Sequence, residues 1–116
     1  MKYTIEHNDN IVIFTLKNDT LNSRISAEFK AELLIICQPD IQALILDLST
    51  VETIDSSGLG GILLAYRQLH EHEIPVILVG VQEMVKTIMN ISQIGSQFTF
   101  CDSIDEAMNY AKDIEE

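Results

Sequence analysis

The sequence predicts a single α/β domain built on a mostly parallel sheet. Short apolar segments of strand length alternate with longer segments in which apolar residues recur at helical spacing. The chain has 116 residues, which suits one domain, and 47% of them are hydrophobic, which is typical of a folded protein. We therefore expect residues 1–116 to form one domain of about five strands, with an N-terminal hairpin and four main helices in the order ββαβαβαβα.

The first two strands are expected to form a β-hairpin. Residues 3–7 and 11–17 are strand-like, and the Asn-Asp-Asn run at residues 8–10 between them favours a turn. A polar loop over residues 18–22 is expected next. The hairpin supplies the one antiparallel pair that the pattern predicts.

Helices and strands alternate after the hairpin. Ser23 or Ser26 is expected to cap a first helix that runs to about Cys37. The later strands are predicted at residues 43–49, 76–79 and 97–101. The third helix is predicted at residues 82–92. Ser103 and Glu106 form a capping box that opens the last helix. Because this alternation requires crossover connections, it predicts parallel strands.

A strand-to-helix turn lies at residues 54–61, Ile-Asp-Ser-Ser-Gly-Leu-Gly-Gly. Residues 43–48 before it are nearly all apolar, as expected of a strand covered on both faces. Beyond the turn, apolar residues recur on one helix face, at Leu59, Ile62, Leu63, Tyr66 and Leu69. The turn therefore follows the carboxyl end of a strand and precedes a helix, which is where α/β proteins usually place their sites.

Asp55, Ser56 and Ser57 offer three acceptors for the free N–H groups of this helix. One acceptor is enough for a cap, so at least one hydroxyl is spare. The same helix end favours a negative group, including a phosphate on a serine. The alternative interpretation is that both serines are ordinary caps and that the glycines let the helix pack closely.

The charge of the chain limits its partners. Its formal net charge is −11, from 18 acidic and 7 basic residues, which disfavours nucleic acid and anionic membranes and favours a protein partner with a basic face. No apolar run approaches the about 20 residues that a membrane-spanning helix needs. We therefore expect a cytoplasmic protein without membrane insertion.

The sequence predicts neither an enzyme nor a metal or cofactor site. A nucleophilic serine needs a nearby base, but His7, His70 and His72 lie in an early strand and at the far end of the second helix. A small serine enzyme is therefore the least favoured alternative. Cys37 and Cys101 are isolated in apolar surroundings, and we expect both to be reduced core residues.

Residues 46–60, Leu-Asp-Leu-Ser-Thr-Val-Glu-Thr-Ile-Asp-Ser-Ser-Gly-Leu-Gly, resemble the signature of STAS domains, specifically of the single-domain anti-sigma factor antagonists of bacteria. The resemblance covers nearly the full chain. Residues 21–33 resemble the family's first loop and helix, residues 76–80 its next strand, and residues 100–107 its closing strand and capped helix. The resemblance implies that the α/β domain has the STAS fold.

The resemblance also implies a partner-switching regulator of transcription. In that family the unphosphorylated antagonist binds an anti-sigma factor that is also a serine kinase, and this frees the sigma factor. Phosphorylation of the antagonist ends the binding, and a PP2C-type phosphatase reverses it. Carried over by position, Ser56 is the phosphorylated residue. The implied partner-binding residues are Asp55, Ser57, Gly58, Leu59, Gly60, Asn22 and Asp19.

The chain departs from the family pattern at four positions. Asn22 stands where many members have Asp, and Asp19 where Gly is common. Both are in the loop expected beside Ser56, so they bear on which kinase acts there. Gly61 replaces a branched apolar residue, and Gln93 replaces a turn glycine. The alternative to a phosphoswitch is a constitutive STAS scaffold or adaptor subunit in a transport or sensory complex.

Overall fold

The computed structural model describes residues 1–114 and has a five-stranded mixed sheet with helices on both faces. The strands are β1 (Tyr3–Asn8), β2 (Ile11–Leu16), β3 (Thr20–Leu21), β4 (Ala43–Asp47), β5 (Thr53–Ile54), β6 (Val76–Val79) and β7 (Thr99–Cys101). The helices are α1 (Ser26–Ile36), α2 (Ser56–His70), α3 (Glu83–Ile91) and α4 (Ile104–Ile114). The predicted α/β class and four helices are confirmed. Residues 115 and 116 of the predicted domain lie outside the described residues.

The main sheet has the strand order β1-β2-β4-β6-β7. β1 runs antiparallel to β2, and Asn8 lies opposite Ile11 across the turn that closes the predicted hairpin. The pairs β2/β4, β4/β6 and β6/β7 are parallel, because a helix lies between successive strands in the chain. The mostly parallel sheet with an antiparallel hairpin is therefore as predicted.

Alternate residues of the central strands enter two separate cores. Phe14 and Leu46 belong to the core that is shared with α1, α2 and α3. Ile45 and Ile77 belong to the core on the other face, which is closed by α4. In the central strand β4, all of the residues 43–46 are buried, which accounts for its continuous apolar sequence.

A second sheet of two short strands was not predicted. β3 pairs in parallel with β5, with Thr20 opposite Thr53 and Leu21 opposite Ile54. Part of the predicted polar loop at residues 18–22 is therefore a strand. Leu21 and Ile54 are both buried, so this pairing fixes the segment before α1 beside the segment before α2.

The predicted serine cap of α1 is wrong. The residue at the cap position is Ile25, and its side chain makes no capping hydrogen bond. The carbonyl oxygen of Asn22 instead accepts hydrogen bonds from the N–H groups of Ile25 and Ser26, at 3.1 and 3.0 Å. Ser26 is already helical, and Ser23 donates its N–H to a residue of the α2 turn.

The last elements differ from the prediction only in detail. β7 is shorter than expected because the residues Gly95–Gln97 form a 3₁₀ turn before it. At the start of α4, the Ser103 Oγ accepts a hydrogen bond from the Glu106 N–H at 3.1 Å, as a capping box requires. The Glu106 carboxylate accepts from the Asp102 N–H at 3.0 Å instead of from Ser103. One half of the predicted capping box is therefore present.

Candidate functional site

Asp55 caps α2. Its backbone is extended, and its Oδ1 accepts hydrogen bonds from the Gly58 N–H at 3.0 Å and from the Ser57 hydroxyl at 2.6 Å. A carboxylate at this position satisfies a free N–H of the first turn and interacts favourably with the helix dipole. Of the three acceptors that the sequence offered, Asp55 is therefore the cap.

Asp55 also joins the α2 turn to the loop before α1. Its Oδ2 accepts a hydrogen bond from the Ser23 N–H at 3.2 Å, and its own N–H donates to the Leu21 carbonyl at 3.2 Å. Two residues that are 32 positions apart in the chain are thus bonded directly. This places the loop that contains Asn22 beside the start of α2, as the resemblance to STAS domains implied.

The same hydrogen bonds act on the charge of Asp55. The Ser57 hydroxyl, and after it the Gly58 N–H, hold the pKa of the Asp55 carboxyl below its usual value of 3.8. Hydrogen bonds donated to a carboxylate favour its charged form. Asp55 is therefore ionised at neutral pH, and a negative charge stands next to Ser56.

Ser56 is the first residue of α2, and it is exposed. Its hydroxyl has no hydrogen-bond partner within residues 1–114, whereas the neighbouring Ser57 is half-buried and donates to Asp55. The spare hydroxyl that the sequence predicted therefore belongs to Ser56.

The glycines of the first two turns differ in their surroundings. A Cβ atom built on Gly58 would lie 2.5 Å from the Leu21 carbonyl oxygen, so Gly58 is required for the close approach of α2 to β3. A Cβ atom built on Gly61 would lie 2.6 Å from the Phe29 ring, so the ring fills the space that a side chain at position 61 would need. A Cβ atom on Gly60 would meet nothing closer than Lys30, at 3.7 Å.

The predicted partner-binding residues fall into two groups. Asp19, Asn22, Asp55, Ser57 and Gly60 are exposed or half-buried. Gly58 and Leu59 are buried, and this argues against their direct contact with a partner. Asp19 lies at the edge of the site, where its carbonyl oxygen accepts hydrogen bonds from the Glu52 and Thr53 N–H groups at 2.7 and 3.3 Å.

The histidines are distant from the turn. His7 is in β1, while His70 ends α2 and is separated from Ser56 by nearly the length of a 15-residue helix. Across the described residues, no three His, Cys, Asp or Glu side chains converge in a way that suits a metal ion. Within the same part of the chain, no helix has both the length and the apolar character needed to span a bilayer.

The fold and the turn together define a class of small α/β domain, with a mixed sheet and an exposed serine at the first position of a central helix. The chain belongs to the STAS domain family, whose model matches residues 2–107. No curated protein matches the chain significantly.

Solved structures of similar fold include two kinds of protein. A Thermotoga maritima protein described as a candidate anti-sigma factor antagonist is 25% identical, with a TM-score of 0.83 and coverage of 95% of this chain and 94% of that one. The anti-sigma factor antagonist SpoIIAA in its unphosphorylated form is 18% identical, with a TM-score of 0.82 and coverage of 96% of both chains. SpoIIAA from Bacillus has also been solved in a phosphorylated form, with 19% identity, a TM-score of 0.74 and coverage of 94% and 98%.

The second kind is a transport protein. A sulfate transporter family protein from Wolinella succinogenes is 23% identical, with a TM-score of 0.76 and coverage of 94% of this chain and 91% of that one. The STAS fold is therefore similar in both anti-sigma factor antagonists and a transporter family protein, and the fold alone does not separate the two.

Proposed function

We propose that this chain is a cytoplasmic anti-sigma factor antagonist. In this proposal its unphosphorylated form binds an anti-sigma factor that is a serine kinase and so releases a sigma factor. Phosphorylation of Ser56 ends the binding, and a PP2C-type phosphatase restores it. The supporting observation is the state of Ser56, which is exposed at the start of α2 with a hydroxyl that capping does not use.

The physical effect of a phosphoryl group at Ser56 supports a switch at an interface. Phosphorylation adds about −1.5 to −2 charges at neutral pH. The added charge stands beside the ionised Asp55, so a partner docked on this surface meets two adjacent negative charges and a bulky group that must lose its water. A loss of about 2.7 kcal/mol of binding free energy is a hundredfold loss of affinity. Because the Ser56 hydroxyl makes no hydrogen bond within residues 1–114, the fold loses no side-chain hydrogen bond when this hydroxyl is phosphorylated.

Phosphorylation in vitro tests the proposal. The chain is incubated with ATP and the anti-sigma factor kinase of the organism, and the product is mapped by mass spectrometry. One phosphoryl group is expected, and Ser56→Ala should abolish it. Ser57→Ala is the matched control, since it removes the hydroxyl of the next residue, which is hydrogen-bonded to Asp55. This variant should still be phosphorylated. Label on Ser57, label elsewhere or no label would each reject the switch.

Binding and release form a second test. The unphosphorylated chain and Ser56→Ala are expected to bind the anti-sigma factor equally, whereas the phosphorylated chain should bind at least about a hundredfold more weakly. Treatment with a PP2C-type phosphatase should restore binding. Isothermal titration calorimetry measures all four samples, and equal affinity of the two phosphorylation states would reject the proposal.

The likeness to the Wolinella transporter family protein favours one other candidate, a constitutive scaffold or adaptor subunit in a transport or sensory complex. In that case Ser56 has no regulatory role. A pull-down from native cells separates the candidates, because an antagonist captures a kinase and a scaffold captures membrane transport subunits.

A further inference from the structure

Lys30 of α1 lies over the first two turns of α2. A Cβ atom built on Gly61 would be 3.6 Å from the Lys30 Cγ, and one built on Gly60 would be 3.7 Å from the Lys30 Nζ. The side chain therefore runs along α2 from Gly61 toward Gly60, with its charged end at Gly60.

This position is on the same face of α2 as Ser56. Gly60 and Ser56 are four residues apart in the helix, and Cβ positions with that spacing are neighbours, about 5–6 Å apart. Gly60 has no side chain, so nothing on that residue separates the ammonium group from Ser56. The Lys30 side chain is a flexible four-carbon stem, which allows its charged end to move by one helical turn.

The Lys30 ammonium group is also not engaged by another charge. Within residues 1–114, the salt bridge present joins the Met1 amine to Glu28, and no carboxylate oxygen approaches Lys30 within 4.0 Å. Lys30 is half-buried because its stem packs on α2. An anion near Ser56 therefore need not displace an existing partner.

We propose that Lys30 is the counter-charge for a phosphoryl group on Ser56, binding a phosphate oxygen within the same chain. This inference rests on the proposed phosphorylation of Ser56. The ion pair draws the phosphoryl group along α2 toward Gly60, so that it lies across the exposed part of the predicted partner-binding surface. Phosphorylation then occludes this surface in addition to charging it.

Two other charged residues are close enough to matter. Arg24 is exposed in the loop that Asp55 holds through the Ser23 N–H, so it is the competing cation. The Asp55 carboxylate repels the phosphate and opposes its second ionisation. A test must therefore separate Lys30 from Arg24.

The test is a phosphorus-31 NMR titration of chains in which phosphoserine is introduced at position 56 during translation. The samples are the wild-type chain and its Lys30→Gln, Lys30→Arg, Arg24→Gln and Lys112→Gln variants. An ion pair with Lys30 stabilises the phosphate dianion, so Lys30→Gln should raise the second pKa of the phosphoserine by about 0.5, a threefold change in the acid dissociation constant. Lys30→Arg should keep the wild-type value. Lys112→Gln removes the same charge on α4, beyond the sheet, and should leave the titration unchanged.

The proposal is overturned if Lys30→Gln titrates as the wild type does, or if Arg24→Gln or Lys112→Gln shifts the titration as much as Lys30→Gln. Lys30→Met, which keeps the stem over Gly61, replaces the Gln variant if that variant does not fold. Because no kinase is used, the two proposals fail separately. A failed kinase assay with a shifted Lys30→Gln titration rejects the proposed function alone, and a normal kinase assay with an unshifted titration rejects the role of Lys30 alone.

Discussion

The Ser57 hydroxyl lies 2.6 Å from a carboxylate oxygen of Asp55 and donates a hydrogen bond to it. This bond holds Ser57 inside the turn, while the adjacent Ser56 is exposed and its hydroxyl has no hydrogen bond within residues 1–114. Two identical neighbouring side chains therefore differ in their chemistry because one of them completes the cap of α2.

Asp55→Ala is expected to destabilise the fold. The substitution removes the cap of α2 and the hydrogen bond from the Ser23 N–H in the loop before α1, since both depend on the Asp55 carboxylate. Ser56→Ala is the matched control, and it should change the free energy of unfolding by no more than about 0.5 kcal/mol. Urea denaturation at pH 7 measures both variants. Equal midpoints for the two would contradict the assignment of Asp55 as the cap.

The contribution of Asp55 to stability should depend on pH. Its pKa is lower in the folded chain than the ordinary value of 3.8, chiefly because the Ser57 hydroxyl and the Gly58 N–H stabilise its charged form. A carboxyl with a depressed pKa binds fewer protons in the folded state, so its contribution is present above about pH 4 and is lost as pH falls through the folded-state pKa. The difference in urea midpoint between the wild type and Asp55→Ala should therefore shrink below pH 4. A difference that grows on acidification would contradict the pKa shift.

Two neighbouring glycines should respond to alanine in opposite directions. Gly58→Ala is expected to destabilise by about 1–3 kcal/mol, because its methyl group would overlap the backbone oxygen of Leu21. Gly60→Ala is expected to stabilise by about 0.5–1 kcal/mol, because its methyl group meets only the end of Lys30 and alanine favours the helix. Thermal unfolding of the pair measures both effects. Similar shifts in the two variants would contradict the packing of α2 on β3.

Gln93→Gly is expected to stabilise the end of α3 by about 1 kcal/mol. Gln93 has a φ of 61°, which is the left-handed conformation that glycine adopts without strain, and it directly follows the last cap residue, Ser92. Ser92→Gly is the control, because Ser92 has a φ of −79° and gains nothing from glycine. Urea denaturation compares the two, and a destabilised Gln93→Gly would contradict the left-handed turn.

Cys37 should be unreactive in the folded chain. Burial raises the pKa of its thiol to about 12. At pH 8 its thiolate fraction is then about one in ten thousand, and the thiolate is the reactive form. Labelling with a thiol reagent in the Cys101→Ser variant isolates Cys37, and reaction is expected only after denaturant is added. Rapid labelling of the native chain would contradict the burial of Cys37.

Much of the site was predictable from local sequence. The position of the turn, the spare serine hydroxyl and the proximity of the Asn22 loop all follow from the Asp-Ser-Ser-Gly run between a strand and a helix, and from the STAS resemblance. The apolar face of the second helix predicted that Leu59 would be buried. The sequence left open whether Gly58 is buried, because this depends on how closely α2 approaches Leu21 and Ile54. The position of Lys30 beside the start of α2 was not predicted either, since nothing near Lys30 in the sequence indicates that α1 packs there.

The sequence by itself determined the elements, their order and the class of the fold. Turn residues, capping patterns and hydrophobic periodicity involve residues only a few positions apart, so they can be recognised in the sequence. Only the tertiary structure decided that Ile25 and not a serine precedes α1, that β3 pairs with β5, and which of three acceptors caps α2. These outcomes depend on contacts such as that of Ser23 with Asp55, 32 positions away, and such contacts exist only once the sheet has brought the two segments together.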